Sequence, residues 1–396
     1  MKMSYCYPSW FPVQSIPPVL VSIAMLMSVF LSVPTFASNY PGQPYAAIDS
    51  SKTTLSKELK WYDASKMTIE GKGYKDTSAA FTRLPSRART LVTKPVWYLS
   101  HDSAGLAIRF LSDATTISAA WDSNSNLRHM ARTGSCGLDL YIRRGGKWMY
   151  CGTGFPGDGQ LAEAPVMREN LFGKNPPKGL NEYLLFLPTY SPVHKLYIGL
   201  NPEAKIVRPT DLPATELPIV FYGTSITQGG CSSRSGMCHT SILRRWLDRP
   251  VINLGFSGSG KCEPAMADLV GEIPASIYVI ETVPNMTVKM IADRMPVFIK
   301  KLRKLRTTTP ILMVESPNLP ANTDTNAELK KVYAKLKQDG IQNLTYLEGD
   351  HQQDGGENAT VDGVHPTDLG FFRMATAYRP VLESIMKSEE TVPGGK

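Results

Sequence analysis

The sequence predicts two fold classes in series: an all-β sandwich of jelly-roll type, then a three-layer α/β/α unit built on a parallel sheet. Three observations lead there. Between about Tyr40 and Leu200, short segments alternate apolar and polar residues and are broken by Gly, Pro, Asn and Asp, the pattern of antiparallel strands with one buried face. Beyond Leu217 the rhythm becomes apolar strand, loop and long helix, repeated, which suits a parallel sheet covered on both faces. Between the two, residues 201–217 carry Pro202, Pro209 and Pro213 with no amphipathic period and read as a linker.

Taken in order, residues 1–37 read as an export signal. They hold one charged residue, Lys2, an apolar run from Val19 to Val33, and the small-residue ending Thr35-Phe36-Ala37. The run is short for a bilayer span, and the ending suits signal-peptidase cleavage. An uncleaved N-terminal anchor is the alternative, so the expected location is secreted or periplasmic, or else membrane-anchored. Cys6 precedes the apolar run and does not look like a lipid attachment site.

At 396 residues the chain exceeds one ordinary core. Residues 38–200 are assigned to the sandwich and 218–390 to the α/β/α unit. In the first, Leu138, Leu140 and Ile142 alternate with Asp139, Tyr141 and Arg143, and Leu196, Ile198 and Leu200 alternate with Tyr197 and Gly199. In the second, strands are expected at Ile219–Tyr222, Val251–Leu254, Ile277–Ile280, Ile311–Val314 and Leu344–Leu347, with helices over Thr287–Leu305, Asn326–Gln338 and roughly Leu369–Lys387.

The net charge of +8 is partly gathered in Lys300, Lys301, Arg303, Lys304 and Arg306, by default a solvated helix face. Without an aromatic platform or a recognised module, nucleic acid is excluded as a partner. Five cysteines follow the leader: Cys136, Cys151, Cys231, Cys238 and Cys262. They lack the paired spacing of a structural zinc site, no metal or organic cofactor is expected, and a disulfide among Cys231, Cys238 and Cys262 is. The pairing and the oligomeric state stay open.

Functional groups in an open parallel sheet collect at the C-terminal strand ends. The first strand there runs into Gly223-Thr224-Ser225-Ile226-Thr227-Gln228-Gly229-Gly230. A Ser at that point can attack a carbonyl while its own N–H helps hold the oxyanion; alternatively it caps the next helix. The second strand enters Gly255-Phe256-Ser257-Gly258-Ser259-Gly260. Its spacing fits neither a phosphate loop nor a dinucleotide fingerprint, which leaves an oxyanion-donating N–H or a plain turn. After the third strand, Asn285 can offer its amide to the same crevice or serve as a helix cap; Asn285-Met286-Thr287 is also a glycosylation sequon. Near the end, Asp362-Gly363-Val364-His365-Pro366 spaces a carboxylate and an imidazole so that one can orient the other. Asp350/His351 is a weaker rival pair, while His101, His129, His194 and His239 show no carboxylate partner and read as structural.

These four blocks, in this order, resemble the SGNH (GDSL-like) hydrolase superfamily, whose blocks supply a catalytic Ser, an oxyanion Gly, an oxyanion Asn and an Asp-x-x-His pair. The resemblance implies that Ser225, Asp362 and His365 form the catalytic triad and that Ser225, Gly258 and Asn285 line the oxyanion hole. Gly137-Leu138-Asp139-Leu140-Tyr141 is similar to the Gly-x-Asp-Leu-Tyr signature of a branch with an added N-terminal sandwich. Two departures stand out: Gly-Thr-Ser replaces Gly-Asp-Ser, and Val-Pro-Asn-Met replaces Gly-x-Asn-Asp.

The function this implies is an exported serine esterase, with an acylated carbohydrate as substrate and acetyl as the leading acyl group. A lipid esterase or thioesterase, or a non-catalytic glycan-binding protein, are the alternatives. No stable membrane association is expected after signal cleavage. Arg234 and Met237, on the loop after the nucleophile, are candidates to line the substrate cleft.

Overall fold

Antiparallel pairing organises the first half of the chain into two facing sheets. In the computed structural model, the described residues are 42–390 apart from 126, 158–160, 168–177, 211–215, 318, 351 and 353–357; the expected leader, 1–37, lies outside them. One sheet has four strands in the order Lys60–Asp63, Leu196–Leu200, Ile117–Trp121, Ala162–Pro165. The other runs Ile206–Val207, Ala107–Ser112, Asn181–Phe186, Leu138–Arg144, Lys147–Gly154, with Thr68–Glu70 also paired to Ala107–Ser112. The period-two residues fill the space between them: Leu138, Leu140, Ile142, Leu196, Ile198 and Leu200 are all buried in one apolar cluster, as alternation along a pleat requires.

Two features depart from the sequence reading. The supposed linker contributes a strand, since Ile206 and Val207 pair with Ser112 and Leu111. The outward face of Leu138–Arg144 is also covered: Asp139 and Tyr141 are buried, because that face is turned toward the second half of the chain rather than toward water.

The second half is a five-stranded parallel sheet in the order Val251–Gly255, Ile219–Gly223, Ile277–Glu281, Ile311–Val314, Leu344–Leu347. All five expected strands are present within a residue of their predicted ends. Helices Val288–Leu305, Thr323–Gln338 and Asp368–Glu390 occupy the expected places. Alternate residues of the first strand face opposite layers: Val220 and Tyr222 enter one core, Ile219 and Phe221 the other. Strand order reverses between Ile219–Gly223 and Ile277–Glu281, so a crevice opens outside the C-terminal ends of these two strands.

The first of these cores is shared between the halves. Tyr74, Leu84, Ala88 and Val96 pack with Val220, Tyr222, Ile252 and Met266, and the Tyr74 hydroxyl donates to the Leu269 carbonyl at 2.6 Å. Residues 41–396 accordingly form one unit. The basic run on Val288–Leu305 is mostly engaged: Lys300 pairs with Asp339, Lys301 with Asp268, and Arg303 donates to the carbonyls of Arg306, Thr309 and Asn343.

Candidate active site

Ser225 opens a one-turn helix, Ser225–Gln228, directly after the first parallel strand. Thr224 caps that turn through its hydroxyl, which accepts from the Ile226 N–H, while Thr227 Oγ1 accepts from the Thr224 N–H. The capping role therefore falls to Thr224 and leaves Ser225 at the first helical position, where its N–H is one of the turn's unpaired donors. Gly229 ends the turn in the left-handed region, with φ of 108°.

Asp362 and His365 sit in a tight loop closed by the Val361 N–H donating to the His365 carbonyl at 2.8 Å. One Asp362 oxygen accepts from the N–H groups of Val364 and His365, at 3.0 and 2.8 Å; the other lies 2.8 Å from His365 Nδ1. Burial works to raise this carboxyl, but those bonds from His365 and Val364 outweigh it and hold it down at about 2. An ionised carboxylate only accepts, so the contact calls for a proton on His365 Nδ1 and turns Nε2 away from Asp362. That nitrogen is 2.9 Å from Ser225 Oγ. The structure thus brings Ser225, His365 and Asp362 into one hydrogen-bonded line.

Gly258 lies at the turn after the second strand with φ of +64°, facing open space: a Cβ built there meets nothing within 4 Å. Asn285, after the third strand, is partly buried, with Nδ2 at 3.5 Å from the carbonyls of both Phe256 and Gly260. It does not cap the following helix, because Thr287 does, accepting from the Met290 N–H at 3.2 Å. Asn285 is therefore set beside the Gly258 turn despite its altered neighbours.

The two cleft candidates fare differently. Arg234 donates through one guanidinium nitrogen to both oxygens of Asp139, at 2.7 and 2.9 Å, and its guanidinium lies 4.4 Å from the Tyr150 ring centre. Asp139, fully buried, also accepts from the Gly236 N–H and the Tyr141 hydroxyl. The Asp of the Gly-x-Asp-Leu-Tyr motif is thus the anchor for the loop after Ser225. Met237 is half-buried and its N–H closes a turn onto the Arg234 carbonyl.

Several residues near the site were not singled out from sequence. The His129 ring, from the first half, is 6.1 Å from the His365 ring, and its carbonyl accepts from the Cys231 thiol at 3.6 Å. His239 and His194 have carboxylate partners after all, in Glu281 at 3.0 Å and Asp122 at 3.2 Å; neither partner is near in sequence. His351 of the rival pair lies outside the described residues. All five described cysteines are buried free thiols, so the expected bridge is absent among them: Cys238 contacts the hydroxyls of Thr240 and Ser241, and Cys262 that of Thr282. Among the described residues no group of three or more His, Cys, Asp or Glu could hold a metal ion, and no helix is long and apolar enough to cross a membrane.

Residues 216–383 match the GDSL-like lipase/acylhydrolase family, and residues 59–206 match the GxDLY family, the N-terminus of SGNH-type esterases. No curated protein matches the chain in sequence. Among solved structures, one described as a GDSL-like lipase from Bacteroides ovatus is 32% identical, with a TM-score of 0.77 over 83% of this chain and 98% of that one. The salicylyl-acyltransferase SsfX3 from a tetracycline biosynthetic pathway is 18% identical, with a TM-score of 0.67 over 84% and 98%. A family two carbohydrate esterase from Clostridium thermocellum, in complex with cellohexaose, is 15% identical, with a TM-score of 0.53 over 72% and 93%. The last two share the fold. With both halves matched in order and a relative of this identity aligned over almost its whole length, the chain belongs to the GDSL-like lipase/acylhydrolase (SGNH hydrolase) family, in the branch that carries a GxDLY-type N-terminal part.

Proposed function

We propose that the protein is an exported serine esterase that removes acetyl groups from carbohydrate through an acyl-enzyme intermediate. The observation that carries the reading is the line from Asp362 through His365 to Ser225, with contacts of 2.8 and 2.9 Å. His365 Nε2 takes the Ser225 proton as Oγ attacks the ester carbonyl. The N–H groups of Ser225 and Gly258 and the Asn285 amide stabilise the resulting oxyanion. Collapse breaks the ester C–O bond, and the sugar oxygen leaves with the proton from His365. Water, deprotonated by His365, then attacks the acyl-Ser225 ester, releasing acetate and restoring the serine. Asp362 stays ionised throughout and stabilises the imidazolium.

Export rests on the leader-like residues 1–37. A carbohydrate substrate is supported by that leader, by the sandwich added to the hydrolase fold, and by likeness in fold to carbohydrate esterases. A second reading, an ester with a longer apolar acyl chain, is favoured by Val361 and Val364, which flank the His365 loop and are each 48% exposed. One experiment separates them: wild type and Ser225→Ala are incubated with acetylated xylan, acetylated oligosaccharides and medium-chain acyl esters, and released acid is measured. Ser225-dependent release of acetate from carbohydrate is expected. Preference for medium-chain esters supports the second reading, and full hydrolysis by folded Ser225→Ala overturns both.

A further inference from the structure

The turn that carries Gly258 is gripped from the first half of the chain. The Ser257 N–H donates to Gln228 Oε1 at 3.0 Å. The other end of that amide, Gln228 Nε2, donates to Asp102 Oδ2 at 2.9 Å and to the Thr189 carbonyl at 3.1 Å. Gln228 is fully buried and Asp102 is 9% exposed, so the bonds from Gln228 to Asp102 and Thr189 are shielded from bulk water. On the other side of the crevice, the Tyr190 hydroxyl donates to the Ser225 carbonyl at 3.2 Å. Just upstream, Arg83 donates to the carbonyls of Asn253 and Gly255, at 3.3 and 2.7 Å, and to that of Asp102 at 2.8 Å.

The turn is thus held at the Ser257 N–H, and the Ser259 and Gly260 N–H groups close it onto the Phe256 carbonyl, both at 3.0 Å, while a Cβ built on Gly258 between them would meet nothing within 4 Å. The Gly258 N–H belongs to the peptide plane that starts at Ser257. Fixing the turn at Ser257 on one side of that plane and at Ser259 on the other therefore orients that N–H, at a position where glycine would otherwise leave the backbone free. We infer that Asp102, acting through Gln228 on Ser257, and Tyr190, acting on the Ser225 carbonyl, are positioning residues that aim the Gly258 and Ser225 N–H groups at the oxyanion, so that the first half of the chain completes the active site of the second. This rests on the serine esterase reading above. None of the three need touch the substrate. Their effect belongs to the transition state, because the oxyanion forms only there.

The test compares Gln228→Met, Tyr190→Phe and wild type on p-nitrophenyl acetate, with phenylboronic acid as inhibitor. Boron forms a tetrahedral adduct on the serine whose oxygen occupies the oxyanion position, so its inhibition constant reports donor placement independently of the fraction of protein that is active. Loss of an oxyanion donor costs on the order of 100- to 1,000-fold, and misplacement should cost less. Gln228→Met is expected to lower kcat roughly 10- to 100-fold with KM within about threefold, and to weaken phenylboronic acid by a similar factor. Tyr190→Phe should shift both in the same direction by roughly 3- to 10-fold. A folded Gln228→Met with an unchanged inhibition constant overturns the inference; if that variant does not fold, Tyr190→Phe with unchanged kcat and inhibition constant does so. Wild type that phenylboronic acid fails to inhibit, or Ser225→Ala that remains active, would instead remove the esterase reading itself.

Discussion

Thr227 Oγ1 lies 2.9 Å from Glu281 Oε2, so the turn that presents Ser225 stands on a carboxylate at the end of the neighbouring strand. Glu281 is 2% exposed and the same oxygen is 3.0 Å from His239 Nε2, itself wholly buried. Removing one partner of a buried, hydrogen-bonded pair leaves the other unsatisfied. Glu281→Ala should therefore cost about 3–5 kcal/mol and Thr227→Val about 1–3 kcal/mol, read from urea unfolding. A Glu281→Ala protein as stable as wild type would show that the pair does not support the turn.

Gly230 backs onto the His365 ring. A Cβ there would lie 2.9 Å from the Tyr190 hydroxyl, 3.1 Å from the Ser225 carbonyl and 3.2 Å from His365 Cδ2. Gly230→Ala should keep the fold and lower kcat at least ~10-fold, because the imidazole must shift from its line to Ser225. Steady-state kinetics beside a melting curve checks this, and unchanged kcat would mean that the ring has room to spare.

Asp362→Asn should lower kcat by about 10⁴-fold while leaving the backbone fold intact, since an amide can hold the imidazole in the wrong tautomer. With the native carboxyl held at about 2, its contribution to stability is present above the unfolded value near 4 and is lost as pH falls through about 2. Asp362 should thus stay ionised across any neutral to mildly acidic activity profile. An NMR titration that finds its carboxyl protonating near pH 5 would contradict this.

Asp102 titrates in the opposite sense. Burial raises its carboxyl to about 6, with Arg83 and the Gln228 amide only partly offsetting it. Between about pH 4 and 6 the folded protein then holds a proton that the unfolded chain has released, so stability from this group is full below about 4 and is lost as pH rises through about 6. Asn at this position does not titrate. The stability of wild type relative to Asp102→Asn should fall by on the order of 2–3 kcal/mol from pH 4 to 7; a flat difference in denaturant midpoints would count against it.

Arg234→Ala should act on stability more than on substrate binding, because its guanidinium is committed to the fully buried Asp139. A loss of about 3–5 kcal/mol is expected. Unchanged unfolding with a raised KM would return Arg234 to the substrate cleft.

Local pattern carried much of this molecule. Continuous apolar strands such as Ile277–Glu281 and alternating ones such as Leu196–Leu200 are visible as rhythm, and loops at strand ends follow from the parallel sheet. What rhythm cannot show is which distant segment lies opposite a given side chain. Asp139 looks like a residue on the wet face of a strand until Arg234 arrives from 95 residues away. Ile206–Val207, only two residues long, is too short for periodicity and pairs through register with Ser112 and Leu111. His129 reaches His365 by a loop with no local signature, and Glu281 becomes a partner of His239 only once the sheet is assembled.

Arg83 has a consequence for how this chain can be cut or recombined. Its guanidinium, 1% exposed, is enclosed by the carbonyls of Leu99, Asp102, Asn253 and Gly255, with the Phe256 ring 4.9 Å away. Severed after residue 217, one fragment would keep an arginine stripped of half its acceptors, and the other would expose the strand end from which the Gly258 turn departs. The parallel sheet of this protein is therefore not a portable module: transplanted without residues 74–102, it would leave behind part of its own core and the arginine that ties down the carbonyls of Asn253 and Gly255.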